Sequence, residues 1–375
     1  MPLHLLDKVE SFDRVVFVEA EPARAARRLG QELPLFVESD RVHRERCALR
    51  DLADLHRCVR SFVACSHDRI IQSGAQSRVK GRREVESGER GWEGWFPQWR
   101  VDMTLWDTAA QARASDRWAG CSAQWNTAMT DALLSAAELT PDSVVLDLAA
   151  GSGDPALTIA ERLVRGRVIA LDSSGSGLLL ASAQALRLLL RRKVTFVQAD
   201  AEAIPLAAKC VDRVTCRCGI MFFSDTALVM SEVLRVLKPG GRAAFLVWGS
   251  FEQPFFDATV GVVLRLVNGA QMPAQAREMF RFALPRSLER ALRTAGFRNV
   301  REEPLTVPRI WAGSAEELWE YQQEISTLCH PLFDSIPTGS LLKVDAEVAA
   351  SLSRFRNGNV LTVPVNVIVV TGQRP

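Results

Sequence analysis

The stretch VVLDLAAGSGDPALTIAERL, residues 144–163, decides the fold. Val144 to Leu148 form an apolar run of strand length, a glycine-punctuated turn follows, and PALTIAERL has the apolar spacing of a helix. Asp154 and Pro155 predict how that helix starts. Asp is a favoured N-cap, and Pro suits the first helical position because its missing N–H would be unpaired there. Gly151 and Gly153 let the backbone bend and come close to a ligand. Strand, glycine turn and helix together form a cofactor-holding unit.

Two kinds of cofactor suit such a turn. GSGDPA fits the dinucleotide pattern G-x-G-x-x-A. Asp147 argues against it: a carboxylate just before the turn repels a pyrophosphate and attracts an ammonium. A second acid, Asp172, ends the next strand in VIALD, and a third, Asp200, ends the one after in FVQAD. Three acids at the carboxyl ends of consecutive strands line the crevice where open α/β sheets bind ligands. They favour a ligand with an amino group, ribose hydroxyls and an adenine amine.

Outward from the turn, strands and helices alternate. SVVLDLA, RVIALD, VTFVQAD, VDRVTCRC and RAAFLVW read as strands, with helices PALTIAERLV, GLLLASAQALRLLL and TALVMSEVLRVL between them. KPGG precedes the fifth strand. RSLERALRTAGF reads as a further helix ended by Gly296, and two late strands, NVREEPLTV and VLTVPVNVIVVTG, flank a helical insert near 314–356. This order predicts an α/β fold: a Rossmann-like, doubly wound, mostly parallel seven-stranded sheet, with helices on both faces and a late antiparallel strand.

These segments resemble the class I S-adenosylmethionine-dependent methyltransferases, in the small-molecule branch similar to the menaquinone and ubiquinone C-methyltransferases. The residues that carry the resemblance are VVLDLAAGSGDPALTIAERL, VIALDSS, FVQADAEAIPL, VDRVTCRCGIMFFSD and EVLRVLKPGGRAAFLVWG, within residues 104–375. The resemblance implies S-adenosyl-L-methionine as cofactor and transfer of its methyl to a small apolar or aromatic molecule by in-line displacement. It implies roles for the turn Ala149-Ala150-Gly151-Ser152-Gly153 against the methionyl part, with Asp147 on the amino group. Asp172, followed by Ser173, would accept the ribose hydroxyls. Asp200 would accept the adenine amine beside the Ala201 N–H, and Arg217 would line the methionyl side through its backbone.

The chain departs from the family pattern in places. Ala149 stands where the first glycine is usual, Ser173 where an apolar residue often packs on adenine, and Gly177 where a large apolar residue is common. Met221 and Phe222 replace the Arg and Asn of quinone methyltransferases, which weakens a quinone as acceptor. No catalytic base is legible; His330 is the sole His of this region. Two other readings remain open at this stage: a cofactor-binding protein without turnover, and an NAD(P)-dependent oxidoreductase.

Residues 1–102 read as an extension of uncertain fold, or as sequence upstream of a start at Met103. Residues 103–375 read as the methyltransferase domain, divided into a helical lid (103–140), a cofactor core (141–250) and substrate-side helices and last strands (251–375). DRVVFVEA reads as a strand within the extension. Trp106 and Trp118 are lid candidates. Phe222, Phe223, Trp248, Phe255 and Phe256 are candidates for an apolar acceptor wall or ordinary core. His43, Cys47, His56, Cys58, Cys65 and His67 lack the tight ligand pairs of structural zinc, so no metal is expected.

Charged residues make up 24% of the chain and the formal net charge is +2, so nothing draws it to nucleic acid. Its eight cysteines include no CxxC pair and read as reduced thiols. No apolar run reaches the ~18 residues of a spanning helix. The composition therefore predicts a cytoplasmic protein with no stable membrane insertion, and the resemblance implies a small-molecule methyl acceptor as its partner.

Overall fold

The computed structural model describes residues 15–17, 113–114, 117–122 and 124–375. The sheet contains β1 (Val15–Phe17), β2 (Val144–Leu148), β3 (Arg167–Asp172), β4 (Val194–Gln198), β5 (Val211–Arg217), β6 (Leu237–Trp248), β7 (Arg298–Trp311), β8 (Arg356–Asn357) and β9 (Val360–Gln373). The order is β1-β4-β3-β2-β5-β6-β9-β7, with β8 a short pairing on β9. β1 to β6 pair in parallel, and β9 runs antiparallel to both β6 and β7. The doubly wound sheet with its late antiparallel strand is as expected. The two strands beyond seven are the shortest, β1 and β8, and β1 comes from DRVVFVEA. Residues 38–98, which include the six His and Cys weighed for zinc, lie outside the described residues.

Strand order reverses between β3 and β5, with β2 at the centre, which opens a crevice at the carboxyl ends of these strands. Both faces are covered. Val145, Val168, Ala170, Val194 and Phe196 pack under α2 (Ala156–Arg162) and α3 (Gly175–Arg187), together with Leu134 of α1 (Thr127–Ala137). Leu146, Leu148, Leu171 and Val197, alternating with them, join the larger core under α4 (Thr226–Val236) and α5 (Ser287–Thr294). Alternation of this kind is what a sheet buried on both sides requires.

KPGG is a bulge inside β6. Val211 pairs with Leu237 and Arg213 with Arg242, so Lys238–Gly241 loop out, with Gly240 at φ +75. Lys238 Nζ donates to Asp212 Oδ1 at 2.8 Å, and the other Asp212 oxygen accepts the Val144 N–H at 2.9 Å, which fixes the bulge to the start of β2. Gly296, at φ +101, ends α5 as the sequence predicts. The insert between β7 and β9 contains α6 (Ala315–Ile325), with a Ser314–Glu317 capping box, and α7 (Leu341–Ser353). β7 is the outer strand on that side and contains Pro304 and Pro308 among charged residues.

Glu232 of α4 is 3% exposed and is bonded throughout. It accepts the Ile204 N–H at 3.0 Å and Arg235 Nε and Nη2 at 2.9 Å. Arg235 in turn donates to the Ile204 and Leu206 carbonyls. Glu232→Ala leaves the Ile204 N–H buried without a partner and frees Arg235 of its counter-charge. The expected loss is about 3–5 kcal/mol in urea unfolding; a loss under ~1 kcal/mol would show that this network is not a support of the fold.

Candidate functional site: the crevice at the carboxyl ends of the strands

The glycine turn is held from β3. Gly151, at φ +52, donates its N–H to Asp172 Oδ2 at 2.8 Å, and Ser174 N–H donates to Asp172 Oδ1 at 2.8 Å. Asp172 thus fixes the turn it faces. Gly153, at φ +111, is buried; a Cβ there would stand 2.9 Å from Leu157 and 3.1 Å from Ala181, so the turn lies directly on α3. Gly177 of α3 allows a similar approach, since its Cβ would be 3.2 Å from the Gly151 carbonyl. That contact explains the missing large side chain at 177. Ser152 and Ser173 are exposed at the crevice.

Asp147 is fully buried. Thr215 Oγ1 donates to its Oδ1 at 2.6 Å, and its Oδ2 has no partner. Burial pushes its carboxyl up to about 7, against the opposing pull of the Thr215 bond and the Arg217 charge. Asp200, two strands over after β4, accepts the Glu202 N–H at 2.9 Å and caps the short turn of Ala201–Ala203, with Ala201 buried beside it.

One expectation is corrected. Asp154 is not the helix cap: α2 begins at Ala156 with Pro155 in the cap position and no side-chain cap bond. The Asp154 carboxylate instead pairs with the Arg217 guanidinium, and Thr130 Oγ1 of α1 donates to it at 3.1 Å. The Arg217 side chain also reaches the turn backbone, because Nη2 donates to the Asp154 carbonyl at 3.0 Å. Burial lowers the Arg217 pKa most, but the charge and hydrogen bond of Asp154, with smaller pulls from Cys218 and Asp147, together outweigh it and the net direction is up. The pull of this charge-assisted pair is stronger than that of a solvated N-cap.

Ala149 has φ +54, a conformation that favours glycine, and its side chain stands over Gly219: a Cβ at 219 would lie 2.4 Å from the Ala149 Cβ. The methyl group at 149 is accommodated because 219 has none.

Beyond β5 an aromatic cluster is packed in the core. Trp311 stacks on Tyr321 with centroids 5.0 Å apart, and Trp118 meets Trp311 at 5.7 Å. Trp125 meets Phe255 at 5.6 Å. Trp118 is therefore packed on the β7–α6 side, anchored by Nε1–H to Glu324 at 2.9 Å; Trp106 lies outside the described residues. Trp248, Phe255 and Phe256 are buried in the core, Phe222 and Phe223 partly so. His330 Nε2 lies 2.8 Å from the Gln323 carbonyl, a local bond within the insert. Sequence reasoning missed Thr130, Thr215, Tyr321 and Arg309, for which no motif exists. Among the described residues, no group of three or more His, Cys, Asp or Glu is placed to hold a metal ion, and no helix is long and apolar enough to cross a membrane.

A methyltransferase-domain family model matches residues 145–241, from β2 through the KPGG bulge. A ubiquinone/menaquinone biosynthesis C-methyltransferase (UbiE) of Rhizobium meliloti is 33% identical over 193 residues, 48% of this chain and 74% of that protein. Its counterpart in Agrobacterium fabrum is 31% identical over 195 residues, 48% and 74%. That of Syntrophotalea carbinolica is 33% identical over 178 residues, 43% and 71%. The chain belongs to the class I S-adenosylmethionine-dependent methyltransferases of the UbiE-like type. It is an enzyme that uses S-adenosylmethionine to methylate a small molecule.

Two variants test the site's construction. An ordinary carboxyl titrates near 4, so between about pH 4 and 7 the folded chain holds a proton on Asp147 that the unfolded chain has lost. Ionisation therefore costs stability as pH rises through that window, and the cost is complete above about 7. Asp147→Asn should gain on the wild type by a few kcal/mol between pH 4 and pH 8 in denaturant titrations; a difference that does not change with pH removes the argument. Gly219→Ala should cost about 1–3 kcal/mol in the native chain and less in an Ala149→Gly background. Strictly additive losses would mean the two positions do not touch.

Proposed function

We propose that this chain transfers the methyl group of S-adenosylmethionine to an apolar or aromatic acceptor seated among the aromatic residues beyond β5, and that residues 103–375 form the catalytic domain. The single observation that carries the cofactor placement is the unpartnered Oδ2 of buried Asp147, at the end of the strand that leads into the glycine turn. A bound ammonium, directly or through one water, supplies the missing donor. Asp172 holds the ribose hydroxyls while bracing Gly151. Asp200 and the Ala201 N–H face the adenine, and Gly151, Ser152 and Gly153 leave the backbone open to the methionyl chain. Ala149 sets the turn, and Ser173 leaves the adenine face open rather than packed.

When bound, the cofactor supplies a methyl group already made electrophilic by its sulfonium. The residues orient the acceptor in line with it and exclude water. Orientation of that kind supplies about 7–11 kcal/mol of a reaction barrier. Arg217, neutralised by Asp154, positions the turn relative to α1 and takes no proton. The relatives' names make a quinone ring one candidate acceptor. Met221, fully buried, offers it no polar group. Five cysteines among the described residues are free thiols, in keeping with a cytoplasmic setting.

Calorimetric titration of S-adenosylmethionine into the purified chain tests the reading. Micromolar binding, weakened at least tenfold in Asp172→Ala, is expected, and a folded wild type that binds nothing would overturn it. A bound ammonium favours the ionised form of Asp147, so binding releases a proton wherever that carboxyl is protonated. Affinity should therefore fall as pH drops from 8 to 6, by up to about tenfold per unit below about 7. A flat profile with intact binding would remove Asp147 from the cofactor contacts and leave the rest.

A further inference from the structure

Two guanidiniums lie largely buried at the carboxyl ends of the strands, and one of them has no counter-charge among the described residues. Arg217 has Asp154. Arg309 of β7 is 6% exposed and forms no ion pair among the described residues. Its hydrogen bonds go to neutral oxygens: Nε donates to the Trp125 carbonyl at 3.2 Å and Nη2 to Asn126 Oδ1 at 2.9 Å. Nη1 makes no hydrogen bond there. The rest of its surroundings is aromatic. Cζ lies 3.8 Å from the Trp125 ring centroid, 5.1 Å from Phe255 and 5.6 Å from Trp248.

The groups close enough to influence it electrostatically are Arg217, Cys218 and Tyr321. Cys218 and Tyr321 are neutral at pH 7: burial raises the Cys218 thiol to about 11 and raises the Tyr321 phenol as well. Arg217 adds a second positive charge. Burial without a carboxylate pulls Arg309 itself down to about 9, a value that leaves it protonated at neutral pH. Cation–π contact with Trp125 compensates part of the lost hydration. Apolar residues of similar volume would fill this cage at lower cost than a lone buried charge. An arriving anion reverses that balance.

The position connects this charge to the reaction. Asn126, which holds Arg309, immediately precedes α1. Thr130, in the first turn of α1, donates to Asp154 of the cofactor turn. Cys218, next to Arg217 in the chain, is within reach of both charges. Arg309 thus lies beside the cofactor crevice, on the side where the aromatic residues gather.

We infer that Arg309 recognises the methyl acceptor, and that the acceptor carries one anionic oxygen group, a carboxylate or a phenolate, on an apolar or aromatic body. The guanidinium presents a planar fork suited to such a group. Trp125, Trp248 and Phe255 contact the apolar part. A single guanidinium matches a single charge, and a neutral quinone ring leaves it unsatisfied. The inference rests on the acceptor-side reading of the crevice given above.

The test uses the full chain saturated with S-adenosylhomocysteine, so that cofactor binding is measured first and by itself. Two probe pairs are then titrated by calorimetry: 1-naphthoate against 1-naphthamide, and 4-nitrophenolate against 4-nitroanisole at a pH where the phenol is ionised. The charged member of at least one pair should bind at least tenfold tighter than its neutral partner, and the pair that does so identifies the oxygen group. Arg309→Gln should abolish that preference and leave S-adenosylhomocysteine affinity unchanged; Arg309→Lys should retain part of it. Equal affinities within both pairs, no binding of either anion, or a preference that survives in Arg309→Gln each overturn the inference. If Arg309→Gln fails to fold by circular dichroism, the wild-type comparison and Arg309→Lys still decide. Loss of preference with S-adenosylhomocysteine bound removes the role of Arg309 alone. A folded wild type that does not bind S-adenosylhomocysteine removes the cofactor reading and this inference with it.

Discussion

The ion pair between Arg217 and Asp154 is the constraint on which the crevice depends. Its two residues come from the end of β5 and from the glycine turn, and Thr130 of α1 touches both. Three elements that would otherwise meet only through apolar contacts are thus set at fixed positions around one polar joint. Asp154 is partly exposed and Arg217 is not, so the pair's importance comes from what it spares: a buried guanidinium without a counter-ion. The joint also settles where α2 begins, because the carboxylate that would cap it is engaged elsewhere.

On either side of this neutral joint stand two groups left incomplete. Asp147 has an oxygen with no donor, and Arg309 has a charge with no carboxylate. A crevice built this way is complementary to a pair of ligands rather than to one: a cationic amine toward β2 and an anionic group toward β7. Each ligand removes a desolvation cost already present in the fold, which is a form of preorganisation.

Much of this was legible in the sequence. Strand and helix order followed from apolar runs and their lengths, and the acids at strand ends followed from the rule that such sheets bind ligands there. Gly296 was readable as a helix end because only the backbone at that point matters. What escaped the sequence depends on contacts between distant segments. Asp154 has the local signature of a cap, yet Arg217, 63 residues away, takes it. Ala149 reads as a simple variant of a glycine, whereas its tolerance depends on Gly219. Arg309 sits in VPRIW, an ordinary alternating strand, and only the closure of Trp125, Trp248 and Phe255 around it makes it unusual. KPGG reads as lying just before the fifth strand, but it is a bulge inside a strand whose pairing begins before it at Leu237.

The prolines of β7 have a consequence for how copies of this chain meet. β7 forms the outer side of the sheet, and an unpaired strand edge is a template on which another strand can add. Pro304 and Pro308 have no N–H to offer, and Arg298, Arg301, Glu302 and Glu303 crowd the same strand with charge. A second copy laid against this edge would find an interrupted ladder and would have to strip hydration from four ionised side chains. The long β7–β9 ribbon that carries Arg309 into the crevice can therefore be extended and twisted without becoming adhesive along its length.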